Sequence, residues 1–410
     1  MQAADVRELL SSVEDPDLGE DIVSEHVLRD VSVAGDVVTV RLALTAVGSP
    51  SEESIVEAVR DTLEREGLEA RIEVGDPDSF DVEEEGDEAD DAAGDESVGE
   101  GPGVENVGPG AEGGGPSGHG HGGQGPGGQG PPGQGPGGQA GPGGDAAAGS
   151  PLPGVTNTIA VASGKGGVGK STIAVNLAAG LAERGADVAL FDADMYGPNV
   201  PRMLGVTDRP EATANETIKP PEAYGMKVIS IGLMIGEESP VIWRGAMVHN
   251  TLTQLIDDVE WGELDYMVID LPPGTGDTQL TLLQTIPLTG SVIVTTPQSV
   301  ALEDARRGLE MFAKHDSPVL GIVENMSSFV CPDCGSEHDI FGKGGGREFA
   351  AENDMPFLGA IPLDPEIRER GDEGAPLVMD EESDVGEAFR SMVAETADMV
   401  GILNRRALSE

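Results

Sequence analysis

Gly164-Lys165-Gly166-Gly167-Val168-Gly169-Lys170-Ser171 follows an apolar stretch around Ile159 to Ala162 and runs into STIAVNLAAGLAERG, which has helical character. The spacing G-x-x-x-x-G-K-[ST], set between a strand and a helix, is that of a phosphate-cradling loop. Its glycines let successive backbone N–H groups turn inward around phosphate oxygens, and the helix N-terminus adds partial positive charge. In such a loop Lys170 reaches the β and γ phosphates of a nucleotide and Ser171 ligates magnesium. The nucleotide-binding set expected here is Gly164, Lys165, Gly166, Gly167, Val168, Gly169, Lys170, Ser171 and Thr172.

Outward from the loop, the apolar runs TIAVAS, DVALFDAD, DYMVID, SVIVTT and PVLGIVEN alternate with helical stretches. That alternation predicts a mostly parallel, doubly wound α/β sheet covered on both faces, with ligands at the C-terminal strand ends. Two of those ends carry acids, Asp192 and Asp194 in FDAD and Asp270 in VIDLPPG. Asp270 suits the carboxylate that holds magnesium through water, and Asp192 or Asp194 suits the positioning of an attacking water; spacing alone does not order the two.

Composition divides the rest of the chain. Residues 76 to 100 hold 13 acids and no basic residue, and 23 of the 60 glycines lie between 101 and 150. Too few apolar residues occur there to offset backbone ordering, so 76–153 reads as a disordered linker that leaves its two ends nearly independent. His119 and His121 within it are weak candidates for a metal, because ligation wants preorganised groups. Before the linker, residues 4–14 and 51–66 have helical periodicity, while VLRDVSVAG, DVVTVRLALTAVG and RIEV alternate as strands, a small α+β domain over 1–75. The third part, 154–410, is the large α/β domain.

Charge narrows the function classes. With 75 acidic against 24 basic residues and a net charge of −51, the chain is a poor ligand for nucleic acid or anionic lipid. Only 6 of the basic residues are lysines, and so acidic a surface suits concentrated salt, where self-repulsion is screened. No basic n-region with an apolar run opens the chain and no stretch of about 18 apolar residues occurs, so a cytoplasmic protein without a membrane span is expected.

Cys331 and Cys334 are the two cysteines, in CPDCG after the strand PVLGIVEN. Zinc and cubane iron-sulfur clusters take four protein ligands, so two thiolates are half a site, and a two-fold dimer joining two pairs is the economical completion. CPDCG also has the shape of a zinc knuckle, with His338 placed to be a third ligand, and a redox dithiol is a further reading.

SGKGGVGKST, FDADMYGPNVPRMLG, WRGAM, DLPPGTGD, TTPQSVALEDARRG, ENMSSFVCPDCG and IPLDP, in that order, resemble the Mrp/ApbC branch of deviant-Walker P-loop ATPases, the iron-sulfur cluster carriers. The resemblance spans nearly all of 155–403 and implies a P-loop NTPase domain that uses ATP and magnesium. It further implies that Lys165 crosses a homodimer interface to the partner's phosphates, that Asp194 orients the hydrolytic water and that Asp192 and Asp270 serve magnesium. Asn325 and the Ile361-Pro362 turn contact adenine in this picture. Lys165, Lys170 and Asp194 are then the catalytic set, and Cys331 and Cys334 share a labile 4Fe-4S cluster between two chains, received from a donor and passed to apoproteins. The rival readings are a partitioning or positioning ATPase of the ParA and MinD kind, which wants a basic surface and no cysteines, and a zinc-bridged scaffold that nucleotide merely locks.

VEDPDLGEDIVSEHVLRDVSVAGDVVTVRLALTAVGSP resembles the small iron-sulfur-assembly domain related to PaaD and SufT. That family carries a cysteine in a T-P-G-C-P turn, whereas this chain reads Ala46-Val47-Gly48-Ser49-Pro50. A thiol role is lost with Ser49, which leaves docking to a partner or apoprotein, or a degenerate appendage. At the other end, Phe389, Met392, Val393, Thr396, Met399, Val400 and Leu403 recur at helical spacing, and with only Arg405 and Arg406 basic nearby the helix is expected to pack on the core and not on lipid.

Overall fold

A computed structural model describes residues 2–77, 80, 151–234, 245–331 and 334–409. The expected linker lies almost wholly outside these residues, as do His119, His121 and the Trp243-Arg244 pair that opens the WRGAM motif.

In the small N-terminal region, helix α1 (Ala3–Leu10) precedes strands β1 (Leu28–Ala34) and β2 (Val37–Leu42), and helix α2 (Pro50–Arg65) crosses to β3 (Glu69–Val74). β1 and β2 pair antiparallel and β2 and β3 parallel, in the order β1-β2-β3. Burial alternates along β2, so one face of this sheet meets the helices and the other meets water. Val6, Leu10, Val38, Val40, Ile55 and Val59 form the core between them.

The larger region opens with β4 (Val155–Ala162), α3 (Lys170–Glu183), β5 (Val188–Asp192) and the short α4 (Val200–Met203). A ribbon of β6 (Glu211–Ala212) and β7 (Ile218–Lys219) leads to β8 (Glu222–Ala223), β9 (Met226–Ser230), α5 (Ile231–Met234) and α6 (Gly245–Asp257). There follow β10 (Leu264–Asp270), α7 (Asp277–Thr285), β11 (Gly290–Thr295), α8 (Ser299–Lys314) and β12 (Val319–Asn325). A hairpin of β13 (Phe329–Val330) and β14 (Glu337–His338), then α9 (Gly345–Glu352), β15 (Phe357–Ile361), α10 (Pro365–Glu373) and α11 (Asp384–Ser409), complete the chain.

Eight strands lie in the order β15-β12-β11-β4-β10-β5-β9-β8, all parallel except the edge pair β8-β9. β4, β5, β10 and β11 are buried nearly throughout, which is why they read as continuous apolar runs without alternation. One face is covered by α3 and α11, through Ile173, Leu177, Phe389 and Met392, and the other by α6 and α8, through Leu252, Ile256 and Phe312. The fold is that of a mostly parallel, doubly wound P-loop NTPase with a small α+β region ahead of it. α11 buries Phe389, Met392, Val393, Thr396 and Val400 as expected of a core helix, and among the described residues no helix is long and apolar enough to cross a membrane.

The expected independence of the two ends does not hold. Side chains of α11 reach into the small region, where Arg405 pairs with Asp15, Asp17 and Glu52, and Ala46 joins the apolar cluster of the large sheet. Nothing in the sequence marks these three of its 75 acids as partners of an arginine more than 350 residues away.

Candidate functional site

The phosphate loop leaves β4 after Ala162 and enters α3 at Lys170. Gly167 and Gly169 take φ of +82° and +88°, a region that side chains disfavour. A Cβ on Gly169 would stand 2.1 Å from Asn325 Nδ2, and one on Gly164 would meet the Asp304 carbonyl at 2.2 Å. Gly167 is therefore favoured by conformation, Gly164 is required by space, and Gly169 by both.

Parallel register brings the acids to the loop. Asp270 at the end of β10 is opposite Asp192 at the end of β5, and Asp192 in turn is opposite Ser230 on β9. Ser230 Oγ donates to Asp192 Oδ2 at 2.9 Å, and the Asp194 backbone N–H donates to Asp192 Oδ1 at 3.1 Å. Lys170 Nζ bonds Asp270 Oδ1 and lies 3.9 Å from Asp194 Oδ2. Asp194 Oδ1 accepts from the N–H groups of Tyr196 and Gly197 at 3.3 Å each, which fixes the start of the 194–199 loop.

Burial and the neighbouring Asp270 charge push the Asp192 carboxyl up to about 8. Burial likewise raises Asp270, with Lys170 opposing it. Two dry, repelling carboxylates beside a single lysine form a site short of positive charge. Asp270 Oδ2 is buried with no hydrogen-bond partner, which fits a carboxylate whose second oxygen meets a hydrated cation. Ser171, Asp192 and Asp270 thus suit magnesium by donor chemistry.

A cavity of about 500 Å³ opens over the loop, lined among others by Lys165, Lys170, Asp194, Asn325 and Pro362. Thr172 also lines it, and Val168 is buried beneath. Lys165 is half-buried and makes no ion pair among the described residues. Asn325 Nδ2 donates to the Val168 carbonyl at 2.8 Å, so this side chain grips the loop itself.

Sequence reading missed Arg202 and Arg368, which line the cavity mouth from α4 and α10. Their signal was scarcity, two cations among 24 in so acidic a chain. Ser230 and Gln279 were missed as well; the Gln279 amide bonds the Pro272 carbonyl and holds the loop after Asp270. Their positions follow from register and packing and have no local motif.

The cysteines sit on the β13-β14 hairpin. The Cys331 N–H donates to the Ser336 carbonyl at 2.9 Å and the Gly335 N–H to the Cys331 carbonyl at 2.8 Å, which closes a tight turn with Gly335 at φ +68°. Cys331 is half-buried and Cys334 exposed. Cys334 Sγ lies 3.4 Å from Ser336 Oγ, and hydrogen bonding with Ser336 holds that thiol below its ordinary value. His338 is exposed, and its ring stacks on Phe329 with centroids 6.5 Å apart. Among the described residues no three His, Cys, Asp or Glu side chains come together as a metal site.

Residues 154–397 match the family described as NUBPL iron-transfer P-loop NTPase, and residues 3–74 match the family described as iron-sulfur cluster assembly protein. An iron-sulfur cluster carrier protein of Synechocystis is 39% identical over 96% of this chain and 96% of its own. One of Deinococcus radiodurans is 51% identical over 63% of this chain and 73% of its own, and the iron-sulfur cluster transfer protein NUBPL of Mus musculus is 47% identical over 60% and 78%. Among solved structures, a nucleotide-binding protein from Archaeoglobus fulgidus in complex with ADP superposes with a TM-score of 0.50 at 36% identity, over 57% of this chain and 92% of that one. With the phosphate loop, its acids and the cysteine hairpin in place, the chain belongs to the NUBPL iron-transfer P-loop NTPase family of iron-sulfur cluster carriers.

Proposed function

We propose that this carrier binds and slowly hydrolyses ATP, and that two copies hold a labile 4Fe-4S cluster between their Cys331 and Cys334 pairs and pass it to apoproteins. The observation that carries the reading is the path from loop to thiols. Asn325 holds the phosphate loop, and six residues further along the chain is Cys331. Between them, Ser327 N–H donates to the Ile361 carbonyl at 3.0 Å and the Ser328 carbonyl accepts from Leu363 N–H at 2.7 Å, so the hairpin is anchored to the cavity wall next to Pro362. A change in the loop is thereby transmitted through few bonds to the cluster ligands.

In this reading the loop N–H groups and Lys170 hold the phosphates, with Lys170 exchanging its carboxylate partners for phosphate oxygen. Magnesium, when bound, neutralises charge on the β and γ phosphates. Asp194 accepts a hydrogen bond from a water aimed at the γ phosphorus; the bond to the bridging oxygen breaks, and ADP and phosphate leave. Lys165 reaches across the dimer to the partner's phosphates, so hydrolysis depends on the dimer. Asn325 and Pro362 border the base. Hydrolysis serves as a switch, ordering and then releasing the loops after Asp192 and Asp270. The division of labour is residues 1–75 as the assembly-like module, 76–153 as linker and 154–410 as the ATPase.

The test is iron, acid-labile sulfide and zinc per chain, on protein purified anaerobically in high salt beside a Cys331→Ser, Cys334→Ser double variant. About four irons and four sulfides per dimer, lost in the variant, are expected. Stoichiometric zinc that persists through cluster reconstitution refutes the reading.

A further inference from the structure

The turn that carries a thiol in the resembled assembly domain is buried in this chain against the ATPase. Ser49 is fully buried; it caps α2 and donates to Asp398 Oδ1 on α11 at 2.5 Å, and the Ser51 N–H donates to the same oxygen at 2.9 Å. Three neighbouring carbonyls are held as well. Asn157 Nδ2 on β4 donates to Thr45 O at 2.8 Å, the Tyr266 hydroxyl on β10 donates to Val47 O at 3.1 Å, and Arg184 Nη1, at the C-terminal end of α3, donates to Gly48 O at 3.0 Å. Asn404 on α11 bridges Asn157 and Thr45, at 2.8 Å to each. The fully buried Arg405 clamps the arrangement, with contacts of 2.5 Å to Asp15, 2.6 Å to Asp17 and 3.2 Å to Glu52.

What the turn touches decides what it can do. β4, β10 and α3 are the three elements whose opposite ends carry the phosphate loop, Asp270, and Lys170 with Ser171. From Asn157 to Ser163 is six residues of strand, about 20 Å at 3.3 Å per residue. Rigid, fully paired strands and one helix span that distance, and their near ends are fixed by hydrogen bonds that a detached module could not supply.

We propose that the 45–51 turn is an interaction surface whose partner is the chain's own nucleotide-binding core, and that its seating there sets how tightly the far end of that core holds nucleotide. The coupling rests on the nucleotide-binding reading above; the seating does not. Ser49 serves as an interface residue in place of a thiol, and the module acts as a brace of the ATPase instead of a handler of clusters.

The experiment uses the full chain with Cys331→Ser and Cys334→Ser, so that Ser49→Cys introduces a single thiol. A maleimide is expected to modify that thiol at least about 100-fold more slowly in native protein than in denaturant, as befits a buried group. Adding Asp398→Ala should expose it, whereas Asp398→Asn, which keeps the acceptor oxygen, should leave it shielded. In parallel, a fluorescent ATP analogue with magnesium is titrated into the chains that retain Ser49. Asp398→Ala is expected to weaken binding about 5-fold or more, the lower range of coupling between sites, and Asp398→Asn to restore it. Arg405→Ala tests the same point more severely, and Asp398→Ala covers the case in which that chain fails to fold. Free modification of the thiol in the native parent overturns the seating. Exposure of the thiol by Asp398→Ala with unchanged nucleotide affinity overturns the coupling. A shielded thiol in a parent that binds no nucleotide overturns both the coupling and the functional reading, while the seating stands.

Discussion

Asn325 donates its side-chain amide to the carbonyl of Val168 at 2.8 Å, and its side-chain Oδ1 accepts from the Met326 N–H at 2.9 Å. The last residue of β12 therefore spans the phosphate loop and the first residue of the segment that leads to the cysteines. Met326 itself takes φ of +56°, a conformation held by the contacts on either side. Asn325→Ala is expected to weaken nucleotide binding by about tenfold, the order of one lost hydrogen bond with a buried carbonyl left unpaired. Titration with a fluorescent ATP analogue measures it; an unchanged affinity would refute the bracing role.

Lys165→Ala separates binding from hydrolysis. Lys170 and the loop N–H groups remain, so nucleotide affinity should stay within a few-fold of the parent, while steady-state phosphate release should drop by about 10³-fold or more, as for loss of a charge supplied in trans. Hydrolysis at the parent rate in an intact dimer means that Lys165 does not act across the interface.

Gly169→Ala places a methyl where Asn325 Nδ2 now lies 2.1 Å from the Cβ position, on a backbone with φ of +88°. Loss of nucleotide binding and a stability cost of about 1–3 kcal/mol are expected. Chemical denaturation of parent and variant, with the nucleotide titration alongside, measures both.

Arg405→Ala leaves the buried Asp15 and Glu52 carboxylates without their cation, beside the exposed Asp17. Removing one partner of a buried charge group costs about 3–5 kcal/mol, so a marked fall in Tm is expected by calorimetry. A fall no larger than that for substitution of the exposed Arg406 would show that the cluster adds nothing to stability.

The same cluster gives a pH dependence. Desolvation, with Asp15 and Glu20 adding repulsion and Arg405 opposing, raises the Glu25 carboxyl from 4.5 to about 7, and its Oε2 is buried without a hydrogen-bond partner. Folding thus favours the neutral acid. Its contribution is fully present below pH 4.5 and is lost as pH rises through about 7. Tm should fall by a few degrees between about pH 4.5 and 7 and level off above that, and Glu25→Gln should flatten that part of the profile. An equal slope in the variant would assign the dependence to another group.

The shape of the phosphate loop was legible because its demands are local. Gly164 to Ser171 state a loop shape in consecutive residues, and strands buried on both faces, such as β4 and β10, announce themselves as unbroken apolar runs. Ser230 beneath Asp192 and Gln279 behind Pro272 were not legible, because parallel register and helix placement bring them there from 38 and 7 residues away. The seating of the small module was hidden for a different reason. Asp15, Asp17 and Glu52 look like solvating acids in a chain that has 75 of them, and only the fold shows which ones lose their water. Ser49 stands in the sequence only as a serine where the resembled family has a thiol; its bond to Asp398 needed α11 in place.

Burial of the Arg405 clamp has a consequence for the medium in which so acidic a chain would work. At molar ionic strength the screening length is about 3 Å, and exposed pairs such as Arg202 with Asp372 or Arg306 with Glu352 lose most of their worth. Mobile ions do not enter the dry contact between Arg405 and Asp15, while they do screen the surplus negative charge around it. Brine would therefore leave the joint between the two regions intact and relieve the strain on it, and dilution, by strengthening repulsion among the acids, would be the condition that pulls it apart.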